Sequence, residues 1–212
     1  MNYYQEITLL PDVDISLGFL WQNVFQQVHI ALVEHKVDAN QSSVAVGFPD
    51  YLRAKFPLGS KLRLFAKEQA SLEKLAIHQW LNRFEDYAHI KGIKPVPSDV
   101  SYVSFVRKQV KSPERIERAM QQKAALWAAK SGKPLAECLT DLEKSKPTGQ
   151  CDLPFIFLHS QQTKQRSPDK NSKFPLFIER YPQSTPVDGP FDCYGLSRKV
   201  NGIASLGTVP HF

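Results

Sequence analysis

Apolar and polar positions alternate over residues 3–10. Tyr3, Ile7 and Leu9 fall on one face, and this period of two predicts a strand that Pro11 ends. The period then changes. Leu17, Leu20, Trp21, Val24, Val28, Ala31 and Leu32 recur at helical spacing behind Ser16, a favourable N-cap, so a helix is predicted. His29 lies one turn after Phe25, at the edge of that apolar stripe. Val44, Val46 and Phe48 alternate into a second strand, and Leu62 and Leu64 mark a third after the Gly59-Ser60 turn. A helix is expected over roughly 69–83 with Leu72, Leu75, Ala76 and Trp80 inward, followed by a weaker strand over 87–93. Strand, helix, strand, strand, helix, strand is the order of a ferredoxin-like domain. The run Lys94-Pro95-Val96-Pro97 reads as a boundary, because two prolines one residue apart resist both helix and central strand.

The second half opens with Val103, Phe105 and Val106, which read as a short strand, followed by Arg107, Lys108 and Gln109. Arg107 and Gln109 are two apart, so an extended backbone points both to one side. An Arg can donate two hydrogen bonds to guanine O6 and N7, and a Gln can pair with adenine N6 and N7, so one extended segment could read two purines. Ser112, Pro113 and Glu114 then supply the cap, first residue and dipole-favoured acid of a helix running to about Lys130. Arg115, Arg118 and Gln122 line one face of it, with Lys123 beside them. A basic helix next to a purine-reading strand suggests a nucleic-acid grip. Leu135 to Lys144 suggests another short helix. Leu153 to Leu158 is a dense apolar strand that ends at His159-Ser160. The polar, basic stretch QQTKQRSPDKNSK leads from there to a strand over Phe174–Ile178, making a hairpin with a long tip. Such a loop is more often functional or disordered than structural. The fold class expected is α+β: a ferredoxin-like domain over 1–97 and a second α+β domain with the basic helix over 98–212.

Composition narrows the partners. The 212 residues are 42% hydrophobic, enough for real cores. No run of eighteen apolar residues suggests a transmembrane helix, and the opening MNYYQEITLLPD shows no signal peptide. A formal net charge of +6 and a pI near 9.2 favour a polyanionic partner, nucleic acid or a membrane surface. No lipidation motif or strongly amphipathic basic helix supports a membrane. Cys138, Cys151 and Cys193 are odd in number and far apart, which fits a reduced, cytoplasmic compartment rather than a disulfide framework. No histidine pair has metal-ligand spacing, so neither metal nor cofactor is expected.

Four features stand together: His29 at a helix edge, Ser160 at a strand end, Phe174 after a basic loop, and Tyr194 before Gly195. In order, with WQNVFQQVHIAL around His29, VGFPD at 46–50, YVSFVRKQVKSPER at 102–115, LPFIFLHSQQT at 153–163, FPLFIERY at 174–181, FDCYGLS at 191–197 and the terminal TVPHF, the chain resembles the Csy-type endoribonucleases of type I-F CRISPR systems. The resemblance covers nearly the whole chain. It implies metal-independent cleavage of precursor CRISPR RNA at the 3′ base of each repeat hairpin. Attack by the 2′-hydroxyl would leave a 2′,3′-cyclic phosphate, and the product would stay bound alongside subunits of the type I-F surveillance complex. His29 matches the family's catalytic histidine, Ser160 the serine that holds the attacking hydroxyl, and Tyr194 the tyrosine that orders the histidine. Arg107 and Gln109 match the pair that reads the base of the stem, and Phe174 the aromatic that stacks under the last base pair. Arg115, Arg118, Gln122 and Lys123 fall on the arginine-rich helix. Glu117, Ala119 and Gln121 dilute that helix, and the loop before Phe174 is longer than in the family, which brings Lys164, Arg166, Lys170 and Lys173 into the expected grip. Two alternatives lack chemistry. A non-catalytic RNA-hairpin-binding subunit would keep Arg107, Gln109 and Phe174 without needing His29, Ser160 and Tyr194 together. A ferredoxin-like assembly protein would need neither set.

Overall fold

A computed structural model describes residues 1–110, 113–146, 151–160, 172–198 and 206–212 of the chain. They form a mixed α/β fold with two antiparallel sheets. The first half contributes β1 (Tyr3–Leu9), α1 (Leu17–Glu34), β2 (Val44–Gly47), β3 (Lys61–Ala66), α2 (Gln69–Leu75), α3 (Ile77–Trp80), β4 (Ala88–Ile90) and the short β5 (Lys94–Pro95). Then come β6 (Ser101–Lys108), α4 (Pro113–Ser131), α5 (Leu135–Glu143), β7 (Phe155–His159), β8 (Lys173–Gln183) and β9 (Val209–His211). One sheet has the order β2-β3-β1-β4, with β5 also on β1, and the other β7-β8-β6-β9.

Two compact units result: residues 1–108 with 153–212, and residues 109–152. This differs from the division expected at residue 97. Val103, Phe105, Ile156, Leu158, Leu176, Ile178 and Val209 belong to the same apolar cluster as Ile7, Val24, Leu62 and Leu64. The two sheets therefore share a core, and the prolines at 95 and 97 mark no gap in it.

α1 forms as its stripe predicts. Ser16 Oγ accepts the Phe19 amide at 3.3 Å, and Leu20, Trp21, Val24, Phe25, Val28, Ala31 and Leu32 are buried. Burial of each large side chain contributes about 1.5–3 kcal/mol. Trp21 Nε1 donates to the Gly59 carbonyl at 2.8 Å, so the indole is buried without an orphaned donor. From the second sheet, Phe105 meets Phe48 edge-on at 5.0 Å. β9 closes that sheet against β6, and the Phe212 it leads to stacks beneath Arg63, which is ion-paired with buried Glu6 at 2.8 Å.

The helix expected over 69–83 is broken. Ala76 has φ 47°, in the left-handed region, and separates α2 from α3. Leu75 and Ile77 are both fully buried. On one continuous helix these neighbours but one would point about 200° apart, and the left-handed residue resets the phase so that both face the core. Ala76 and Trp80, expected inward, are only half-buried. β8 is longer than expected because residues beyond Ile178 pair with β6, from Tyr102↔Gln183 to Lys108↔Phe177.

In the smaller unit, α4 packs on α5 through Ala124, Cys138 and Leu142. Pro113 opens α4 as predicted, and the expected cap Ser112 lies outside the described residues.

Candidate active site

The segment Phe191–Ser197 is bound to both sheets: the Val46 amide donates to the Gly195 carbonyl at 2.9 Å, and the Ser197 amide to the Phe105 carbonyl at 2.8 Å. Inside it, the buried Asp192 folds a turn on itself. Its Oδ1 accepts the amides of Tyr194 at 2.8 Å and Leu196 at 3.0 Å, and its own amide donates to the Leu196 carbonyl at 2.8 Å. Gly195 sits at φ 72°, and a Cβ there would lie 2.4 Å from Val46 Cγ2. Only glycine combines that backbone with so close an approach.

This turn delivers two groups to α1. The Cys193 carbonyl lies 2.8 Å from His29 Nδ1. The Tyr194 ring stacks on the imidazole with centroids 4.2 Å apart and planes 12° from parallel. A carbonyl only accepts, so neutral His29 carries its proton on Nδ1, and Nε2 keeps its lone pair. Burial holds the His29 pKa below the usual histidine value; the Cys193 carbonyl opposes that shift and the Arg107 charge adds to it. Burial also raises the Tyr194 hydroxyl, against the pull of Arg107, to which it is hydrogen-bonded. The Asp192 carboxyl is pushed up to about 6 by burial, opposed by the two amides it accepts and by Arg107 and Arg198.

Arg107 projects from β6 over two rings, 5.5 Å from the Phe174 centroid and 5.2 Å from that of Tyr194. Ser160 follows β7, its amide donating to the Ser172 carbonyl at 2.9 Å. Buried Gln26 of α1 accepts the neighbouring His159 amide at 2.8 Å, which ties the strand end to the helix that carries His29. His29, Ser160, Phe174 and Tyr194 thus line one cleft of about 600 Å³, together with Lys36, Asn40 and His159. The sequence pointed to the first four. It gave no reason to single out Lys36, Asn40, His159 or the Cys193 carbonyl. Asp192 had a signal in Asp-x-x-Gly, a turn pattern in which the carboxylate caps later amides.

The expected RNA-contacting residues divide between the units. β6 ends at Lys108, so Gln109 lies beyond the strand and does not extend it beside Arg107. Arg115, Arg118, Gln122 and Lys123 are exposed on α4, and the first three line a shallow hollow there with Glu114 and Ala119. Lys164, Arg166 and Lys170 lie outside the described residues. Lys173 Nζ stands 4.5 Å from the Phe157 ring centroid. Among the described residues, no group of three or more His, Cys, Asp or Glu side chains is gathered as if for a metal, and no helix is long and apolar enough to cross a membrane.

The profile of the CRISPR-associated protein family Cas_Csy4 matches residues 4–212. The CRISPR-associated endonuclease Cas6/Csy4 of Pseudomonas aeruginosa (strain UCBPP-PA14) is 32% identical over 200 residues, spanning 93% of this chain and 96% of that protein. The protein of the same name from Escherichia coli (strain UTI89 / UPEC) is 31% identical over 214 residues, the full length of both chains. A solved CRISPR associated protein Cas6 aligns with 87% of this chain and 88% of its own at 9% identity and a TM-score of 0.26, too loose to carry an argument.

Proposed function

The chain belongs to the Cas_Csy4 family of CRISPR-associated proteins, and from that premise we propose that it is the endoribonuclease that cuts precursor CRISPR RNA at the 3′ base of each repeat hairpin. The observation that carries the reading is the state of His29: Nδ1 committed to the Cys193 carbonyl, ring stacked on Tyr194, and Nε2 free of that bond in a cleft shared with Ser160 and Phe174.

RNA supplies its own nucleophile. His29 Nε2 takes the proton of the ribose 2′-hydroxyl, and that oxygen attacks the adjacent phosphorus. The bond to the 5′-oxygen breaks and that oxygen takes up a proton from solvent, to which His29 in turn releases the one it accepted, leaving a 2′,3′-cyclic phosphate and a 5′-hydroxyl. A base of lowered pKa is unprotonated at neutral pH, as this step needs. Ser160 holds the 2′-hydroxyl in place without being the nucleophile. Phe174 stacks under the last base pair of the stem, and Arg107 reads a guanine there. Gln109 and the α4 face of Arg115, Arg118, Gln122 and Lys123 hold the stem, with Lys164 and Arg166 adding phosphate contacts. The reaction requires neither metal nor outside water.

In this reading, residues 1–97 contribute a ferredoxin-like sheet and its helices, which carry the base and share their core with the second sheet, supported by the strand order β2-β3-β1-β4. Residues 98–212 supply the RNA grip. The product stays bound, and the protein joins the type I-F surveillance complex in the cytoplasm. The free cysteines 138, 151 and 193 fit that compartment.

A repeat hairpin with one 2′-deoxyribose just upstream of the cut tests the chemistry. It should bind as well as the ribose form and stay uncut, while a chelator leaves cleavage of the ribose form unchanged. Cleavage of the deoxy hairpin, or loss of activity in the chelator, would remove His29, Ser160 and Tyr194 from these roles.

A further inference from the structure

His29 makes its two described contacts with one turn. The Cys193 carbonyl and the Tyr194 ring are successive residues of it, and neither can meet the imidazole unless the backbone between Asp192 and Leu196 keeps its shape. Two devices set that shape. Gly195 permits the left-handed corner, and Asp192 Oδ1 gathers the amides on either side of it, those of Tyr194 and Leu196. The carboxylate oxygen is thus bonded directly to the residue whose ring lies on His29. Asp192 is 8% exposed, so water is a poor substitute acceptor for the two amides.

We propose that Asp192 is a positioning residue for the catalytic base, acting through the turn that places the Cys193 carbonyl and the Tyr194 ring on His29. The proposal rests on the reading of His29 as the base. It assigns to Asp192 a geometric role, carried by one acceptor oxygen. The groups around it are consistent with that. Arg107 and Arg198 act on its charge from β6 and from beyond the turn, whereas the influences on His29 come from burial, the Cys193 carbonyl and Arg107. An amide side chain keeps an oxygen in the Oδ1 position, so Asp192→Asn preserves the turn. Asp192→Ala leaves two buried amides without an acceptor and frees the turn to reorganise.

The test pairs two readouts on the full chain. One is single-turnover cleavage of the repeat hairpin. The other is the tautomer of neutral His29, read from its imidazole nitrogen resonances and assigned by their loss in His29→Ala. Wild type and Asp192→Asn should both show the Nδ1–H tautomer and cleave within about threefold of each other. Asp192→Ala should lose that tautomer preference and cleave about a hundredfold more slowly, the scale of a reacting group misplaced by about an ångström, with hairpin affinity unchanged. If Asp192→Ala does not fold, Asp192→Ser replaces it; its single hydroxyl can take one of the two amides, and both readouts should be intermediate. The proposal is overturned if the Ala variant, or the Ser variant in its place, keeps the Nδ1–H tautomer at any rate of cleavage, or if Asp192→Asn is as slow as Asp192→Ala. The tautomer is measured whether or not His29 is the base, so a failed base assignment is seen separately, as wild-type cleavage by His29→Ala.

Discussion

Around His29, each neighbour is tied to a large core: α1 buries Val24, Phe25, Val28 and Ala31, the Phe191–Ser197 turn hangs on β2 and β6, and Gln26 secures the end of β7. In residues 109–152 the described apolar burial comes from Ile116, Ala124, Cys138 and Leu142, while Leu126 is 66% and Trp127 37% exposed. The contrast matches two kinds of work. Under the proposed function, proton transfer needs groups held within a fraction of an ångström, which a shared core provides. A grip on a polyanion works through charge and long side chains, which a thin helical pair can present. Damage near the cleft should therefore change the rate of cutting at fixed affinity, and damage on α4 should change affinity at fixed rate.

The largest expected effect after loss of the base itself is at Tyr194. Removing the ring in Tyr194→Ala should slow single-turnover cleavage about a hundredfold, with the dissociation constant of the hairpin within a few-fold of wild type. Tyr194→Phe, which keeps the stacked ring, should retain most of the rate. Equal losses in the two variants would shift the role from ring to hydroxyl and weaken the account of how His29 is held.

Arg107 straddles the contrast, since it reaches over the cleft rings and is assigned to a base pair. Arg107→Ala should cost about 1–3 kcal/mol of binding to the cognate hairpin and much less to one with the G·C pair at the stem base swapped. Equal losses on both hairpins would mean that it meets only phosphate.

On α4, Arg115→Ala and Arg118→Ala should each flatten the salt dependence of hairpin binding by about one unit of slope, for all stems alike, with the cleavage rate of saturated enzyme unchanged. An unchanged slope would place that helix face away from the RNA.

The smallest effect is in pH. As the proposed base His29 must be neutral to act, and its folded pKa lies below 6.5, so the rate should hold through the usual histidine range and fall only at lower pH. An acid limb at or above 6.5 in the free enzyme would contradict the buried site. Stability follows the same sign. The unfolded chain takes up this proton first on acidification, so the His29 contribution is full above 6.5 and is lost as pH falls through the folded value. Asp192 acts oppositely: raised from 3.8 to about 6, it contributes stability below 3.8 that is lost as pH rises through about 6. Asp192→Asn should therefore raise the melting temperature at pH 7.5 relative to wild type and have little effect at pH 4.

How far the sequence reached depended on the range of the interaction. The stripe of α1, its Ser16 cap and the alternating strands are local patterns, and they form where expected. The break at Ala76 was hidden because Leu72, Leu75, Ala76 and Trp80 fit one continuous helical face, and nothing local shows that Ile77 must also meet the core. The division at residue 97 was drawn from prolines, whereas the shared core depends on Phe48 meeting Phe105 across 57 positions, a pairing no local pattern encodes. The residues now lining the cleft with His29 came from resemblance, since a lone histidine at a helix edge carries little by itself. The Cys193 carbonyl is a backbone atom and is invisible to any motif.

The most direct measurement is parallel binding and single-turnover cleavage of the repeat hairpin by His29→Ala. Binding should match wild type, because the base acts on a proton and does not hold the stem, while cleavage falls by about two to four orders of magnitude. Cleavage at the wild-type rate by the purified variant would contradict the account.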